Sequence, residues 1–247
     1  MSQTHISEFI LVSCIFFAAG MVKGILGMGL PTLGMGLLGL LMTVPQAAGL
    51  LTMPSLVTNV WQALAGRALR RRRVRGLWRL QVGICAGVAV ASFLPSLQDG
   101  LARGLLGACL AAYGTSGLSG WRPRPLDRAM GDLAAPAVGA LTGVITALTG
   151  VFVLPAVPYL QSLQLDRHEL AQALGLSFTT STVALAALLA ARGQLGVAAS
   201  LQSTLAIAPA LAGMLVGQKV RDAMSEAAFR RCFFGGLLLL GLWLVVG

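Results

Sequence analysis

Residues 20–62 read GMVKGILGMGLPTLGMGLLGLLMTVPQAAGLLTMPSLVTNVWQ. The stretch is apolar enough for a bilayer, yet glycine and proline interrupt it and Lys23, Thr32, Thr52, Ser55, Thr58, Asn59 and Gln62 punctuate it. Helix breakers and polar groups at membrane depth cost several kcal/mol unless protein or water satisfies them. Such a stretch reads as the wall of an interior cavity, and a second copy of it follows about half a chain later.

The surrounding sequence sets the class. The 247 residues are 56% hydrophobic and 11% charged, and the mean hydropathy is +0.82. A soluble domain carries roughly 25% charged residues. Apolar runs of about 20 residues, the length a membrane-crossing helix needs, recur from Ile6 to Val246. The expected fold is therefore an all-α polytopic membrane protein of about 8–10 transmembrane or re-entrant helices. No extramembrane domain is expected, and MSQTHISE lacks the pattern of a cleaved signal peptide.

Eighteen Lys and Arg against eight Asp and Glu could suggest nucleic acid. However, Arg67, Arg70, Arg71, Arg72, Arg73, Arg75 and Arg79 crowd one short link without interleaved aromatic residues. That distribution sets membrane topology and places the link in the cytoplasm, and no nucleic-acid partner is expected. Cys14, Cys85, Cys109 and Cys232 are too widely spaced for a metal or redox pair and read as packing residues.

Within 20–62, Gly24, Gly27 and Gly29 followed by Pro31 predict a break or a re-entrant bend. Gly20 and Gly24 alternatively have the small-xxx-small spacing of helix packing. Thr43 and Gln46 fit a capping box that opens a helix from Pro45 to Gly66. Thr52, Ser55, Asn59 and Gln62 share one face of that helix, turned either to a cavity or to a neighbouring helix.

The repeat then comes into register. Gly20 and Gly24 match Gly139 and Gly143, Lys23 matches Thr142, and Asp166 with Glu169 repeats the capping box. Ser177, Thr179, Thr180 and Ser181 stand where the first half has Thr52, Pro54, Ser55 and Leu56, and Arg67 matches Arg192. The chain thus divides into a first half, 1–120, a linker, 121–130, whose WRPRPLDR cannot continue a buried helix, and a second half, 131–247. Five membrane elements per half make the halves inverted repeats with broken Gly-rich helices, the layout of many carriers. Re-entrant Gly-rich segments would instead give eight crossings and parallel halves.

No catalytic set, metal cluster or cofactor site assembles. His5 and His168 sit near the N-terminus and on a link, and all eight carboxylates lie at span edges or in links. An interior of hydroxyls, amides and helix ends suits an anion. Lys23 either supplies a cation to it or snorkels to the interface.

These residues resemble the sulfite exporter TauE/SafE family, also called the toluene sulfonate uptake permease family. The resemblance rests on Gly20 to Gly29 with Thr52 to Gln62, and on Gly139 to Leu163 with Ala173 to Ala186. It covers essentially the whole chain. It implies a multi-pass permease of the bacterial inner membrane, not an enzyme, that exports a small anion such as sulfite or a sulfonate by alternating access. By the same resemblance Gly27, Thr52, Asn59, Gln62, Thr146, Thr149, Ser177 and Thr180 would line the substrate site, and Lys23 and Gly29 of the first break complete the candidate set. Leu30-Pro31 stands where the family often continues in glycine. Membrane lipid and the anionic substrate are the expected partners, with homo-oligomerisation left open. The competing class is a membrane-embedded binding or assembly factor without transport, which would need an exposed partner surface.

Overall fold

The computed structural model describes residues 3–65, 77–121, 123–221 and 225–247. Most of the arginine run, from Arg67 to Arg75, lies outside them, as does Asp222. All regular structure among the described residues is helical: α1 (Gln3–Leu26), α2 (Leu30–Leu38), α3 (Val44–Leu64), α4 (Trp78–Ser92), α5 (Asp99–Leu118), α6 (Arg128–Thr149), α7 (Ala156–Ser162), α8 (Arg167–Ala191), α9 (Val197–Leu205), α10 (Ile207–Arg221) and α11 (Glu226–Val246). Five stretches are long and apolar enough to cross a membrane: Ser7–Leu26, Ala129–Thr149, Arg167–Ala191, Ser200–Arg221 and Ala227–Val246. Their outward faces carry large apolar side chains such as Leu133, Leu239 and Trp243, as a lipid-facing surface does. Cys14 and Cys232 on these stretches, and Cys85 on the shorter α4, are exposed too, rather than packed inside. Hydrocarbon imposes no cost on an outward thiol that behaves as a small hydrophobe.

Packing joins the two halves. Glycines let α1 touch α10 backbone to backbone: a Cβ on Gly20 would lie 2.1 Å from the Ala210 carbonyl oxygen, and one on Gly24 2.2 Å from that of Met214. The matching glycines do the same between α6 and α4, Gly139 at 2.3 Å from Leu80 O and Gly143 at 2.2 Å from Ile84 O. The reverse contacts keep step, with Gly213 on Phe17 O and Gly217 on Met21 O, against Gly83 on Pro136 O and Gly87 on Ala140 O. Gly20 and Gly24 are therefore packing residues, and the break falls after them. Close backbone approach is the usual basis of helix association where lipid removes the hydrophobic driving force. α3 crosses α8, and α5 lies on α11 with Gly107 against Gly241 and Gly117 against Phe234.

Two internal prolines are repaired by partners. Pro54 of α3 cannot donate to the Leu50 carbonyl. Ser203 of α9 takes that carbonyl at 2.8 Å and also accepts the Met53 N–H at 3.0 Å. Pro136 of α6 frees the Asp132 carbonyl, and Arg79 at the start of α4 donates to it at 3.3 Å.

Both Gly-rich segments break their helices. α1 stops at Leu26, and Gly27 (φ 74) and Gly29 (φ 108) turn the chain into α2 in a region of backbone space that a Cβ disfavours. α6 stops at Gly150, and an irregular stretch leads to α7. After α7 the chain is back beside its starting point: Leu126 N–H donates to the Ser162 carbonyl at 2.9 Å, and the Tyr159 hydroxyl to that of Gly131 at 2.9 Å. The capping boxes open α3 and α8, with Thr43 N–H donating to Gln46 Oε1 at 3.1 Å and Asp166 N–H to Glu169 Oε2 at 3.1 Å.

Candidate functional site

The Lys23 side chain decides between the two sequence readings. It is 3% exposed and does not snorkel; its ammonium donates to Asn59 Oδ1 of α3. No carboxylate pairs with it among the described residues, and Asn59 is its one hydrogen-bond acceptor there. A lysine ammonium has more N–H donors than one amide oxygen can use. The remaining donors have no hydrogen-bond partner among the described residues.

Asn59 passes the contact on. Its Nδ2 donates to Thr182 Oγ1 of α8 at 3.4 Å, and Thr182 donates to the Phe178 carbonyl at 2.7 Å. One turn further along α3, Gln62 Nε2 donates to the Gly27 carbonyl at 2.8 Å and to the Ala171 carbonyl at 2.9 Å. Gln172 of α8 returns the favour at the Ala63 carbonyl, 2.8 Å away. The Gly27 and Ala63 carbonyls lie at C-terminal helix ends, where backbone acceptors lack an intrahelical donor, whereas Ala171 is in the second turn of α8. The first break, α3 and α8 are thereby tied at one level.

The polar stripe of α3 thus faces a neighbouring helix, and buried hydroxyls along the crossing are incompletely used. Thr32 of α2, Ser55 of α3 and Ser181 of α8 are at most 1% exposed, and their oxygens have no hydrogen-bond partner among the described residues. Buried polar groups are rarely left so. Together with the spare donors of Lys23, they form a set suited to replacing the hydration shell of a small oxyanion.

The structure brings Lys23, Gly27, Asn59 and Gln62 together, with Gly29 beside them packed on Val22 and the Phe233 ring. Thr52 lines a void of about 10 Å³ with Met35, Gly150, Phe152 and Thr182. Thr146 and Thr149 belong to the second break, where they donate to the Val151 and Ile145 carbonyls. Ser177 accepts from Gln81 of α4 at 3.1 Å, and Thr180 donates to its own helix at the Leu176 carbonyl. No hydrogen bond links Ser177 or Thr180 to the Lys23 group among the described residues. Thr182, Ser181, Gln172 and Thr32 stand in the centre without having been singled out as site residues in the sequence. Thr182 and Ser181 lie in the polar run that marked Ser177, and Asp166 to Thr182 matches Thr43 to Asn59 in spacing. No group of three or more metal-ligating side chains forms among the described residues.

A multi-pass helical membrane protein with broken helices meeting at a polar, cation-bearing centre is the class that this fold and site define. The sequence profile described as "Sulfite exporter TauE/SafE" matches residues 12–244, and the chain belongs to that family. It is 29% identical over 181 residues to a protein of Cupriavidus necator named "Probable sulfite/organosulfonate exporter TauE". The match covers 73% of this chain and 66% of that relative, just under two thirds of its length. No solved structure matches the chain.

Proposed function

We propose that this protein is a secondary carrier that exports a small sulfur oxyanion or organosulfonate, the cargo in its relative's name. The single observation that carries this reading is the Lys23 ammonium, buried and held by one neutral amide, with buried hydroxyls partnerless among the described residues at Ser55, one turn from Asn59, and at Ser181, next to Thr182. A bound anion would take the spare N–H donors and supply the hydroxyls with an acceptor. The void beside Thr52 is about 10 Å³, barely one water in size. That void touches the central group only at Thr182, and on this reading entry requires helices to part at the breaks.

Helix directions support two inverted halves as the moving parts. α1 runs parallel to α10 and α4 parallel to α6, whereas α3 against α8 and α5 against α11 are antiparallel. With four crossings per half the halves would share one orientation, and α3 and α8, which hold equal places in them, would run the same way. Five crossings turn the second half over, and all four directions follow. On this reading α1, α3, α5 and α10 end on one face. By sequence, every Lys and Arg except Arg103 and Arg192 belongs to a link or helix end on that side. The bias makes that face cytoplasmic. An interior-negative potential then favours anion exit by about 2.3 kcal/mol per charge per 100 mV.

Radiolabelled sulfite counterflow in proteoliposomes tests the proposal, with ethanesulfonate, sulfate and acetate as competitors. Saturable exchange, inhibited by the sulfonate and lost in Asn59→Ala and Lys23→Met proteins that remain folded, is expected. Exchange unchanged in both variants would remove the site assignment, and absence of exchange from folded wild-type protein would remove the carrier reading.

A further inference from the structure

A cavity of about 80 Å³ opens where the ends of α1 and α5 meet α7 and the start of α11. No residue hydrogen-bonded to Lys23 lines it, so it is separate from the central site. Both halves build it. Met28 of the first break and Tyr113 come from before the linker, Trp121 from the linker itself, and Gln161, Arg230 and Phe234 from after it.

Three features define what it would hold. Arg230 is the one charged residue in the lining; its guanidinium stands 5.9 Å over the Phe234 ring, and no carboxylate pairs with it among the described residues. Tyr113 is 5% exposed, and its hydroxyl donates to Met28 Sδ at 3.0 Å. A thioether is a weak acceptor, so a buried phenol beside a guanidinium lacks a strong one. The volume equals roughly two or three waters, enough for one tetrahedral oxyanion group. Beyond it, Val157 and Phe234 provide apolar wall, and Trp121, 59% exposed, continues that wall outward. Tryptophan at this depth characterises the membrane interface, and basic pockets between helices there receive anionic headgroups.

We infer that this cavity is a second oxyanion site, which seats one phosphate- or sulfonate-type group on Arg230 and the Tyr113 hydroxyl and lays the ligand's apolar body against Phe234 and Trp121. Two sources present that chemistry: the headgroup of an anionic membrane lipid and a free organosulfonate. Occupancy would also act on the first break, because a ligand that takes the Tyr113 proton donor releases Met28, the neighbour of Gly27.

The test uses the full chain in nanodiscs of phosphatidylcholine and reads the thermal unfolding midpoint. One arm adds ethanesulfonate; the other replaces part of the lipid with phosphatidylglycerol. A rise of about 5 °C or more at saturation is expected in at least one arm, and the responding arm names the source. Both arms are read in the Asn59→Ala background, which disables the central site that would also take the sulfonate; added there, Arg230→Gln and Tyr113→Phe should each remove most of the rise. No rise in either arm, or a rise that persists in both cavity variants, would overturn the inference. Tyr113→Phe, which deletes one oxygen, keeps the test decisive should Arg230→Gln fail to fold.

Discussion

The two helix breaks occupy matching places in the two halves, and they are built differently. The first, Gly27 to Gly29, sits one turn beyond a buried lysine, is held by Gln62 from α3, and leads directly into the nine-residue α2. The second follows Thr149, caps itself with its own threonines, and runs irregularly to the seven-residue α7. Where the first half has Lys23 reaching across to Asn59, the second has Thr142, whose hydroxyl donates back to the Val138 carbonyl of its own helix. One break depends on a distant side chain and carries charge; the other is self-contained and neutral. The buried lysine thus stands at one of the two breaks only.

Substitutions can break or sharpen that contrast. The largest effect should come from the features the halves share. Gly24→Leu and Gly143→Leu both drive a side chain into a backbone carbonyl; each should abolish folded protein on size-exclusion chromatography, with equal severity. Next comes the difference between the lysine and its mate. Asn59→Ala strips the ammonium of its partner and should destabilise by about 3 kcal/mol, while Thr142→Val should cost about 1 kcal/mol or less, both read as melting shifts. Lys23→Met in the Asn59→Ala background should restore most of the lost stability without restoring transport. That rescue separates an unpaired buried charge from a lost packing contact, and its absence would show that Asn59 serves α3 alone.

A smaller loss is expected at the repaired proline. Ser203→Ala leaves the Leu50 carbonyl and Met53 N–H without a partner and should cost about 1–3 kcal/mol. At the first break, Gly27→Ala meets no atom within 4 Å but must hold φ 74, for a cost of about 1–2 kcal/mol. Hydrogen exchange over 27–33 should rise in that variant and leave 150–156 unchanged.

Much of this architecture could be read in the sequence. Span lengths follow from hydropathy, the break after Leu26 from glycine clustered before Pro31, and the start of α8 from Asp166 with Glu169, because each depends on neighbours in the chain. The candidate centre was less accessible. Lys23 near a helix end is compatible with an interface or an interior, and only Asn59, contributed by another helix, decides between them. Within 177–182 the sequence announces polarity, but which of Ser177, Thr180, Ser181 and Thr182 meets α3 depends on rotation about the helix axis, where each residue turns the face by about 100°. Ser203 is one of three hydroxyl residues in α9, with Ser200 and Thr204. Pro54 declares that a donor is needed at Leu50, but nothing local says which distant residue supplies it.

That repair has a consequence for how the protein is made. α3 enters the bilayer with an acceptor that its own helix cannot satisfy, and the hydroxyl that completes it belongs to a helix synthesised about 150 residues later. The four main helix pairings likewise join a helix from before the linker to one from after it. During synthesis the leading segments must wait, sheltered by the insertion machinery or by water, until the trailing ones arrive. The linker at 121–130 is consequently a hinge in time as well as in sequence, and a chain that terminates there leaves a membrane protein with no partner for any of its long helices.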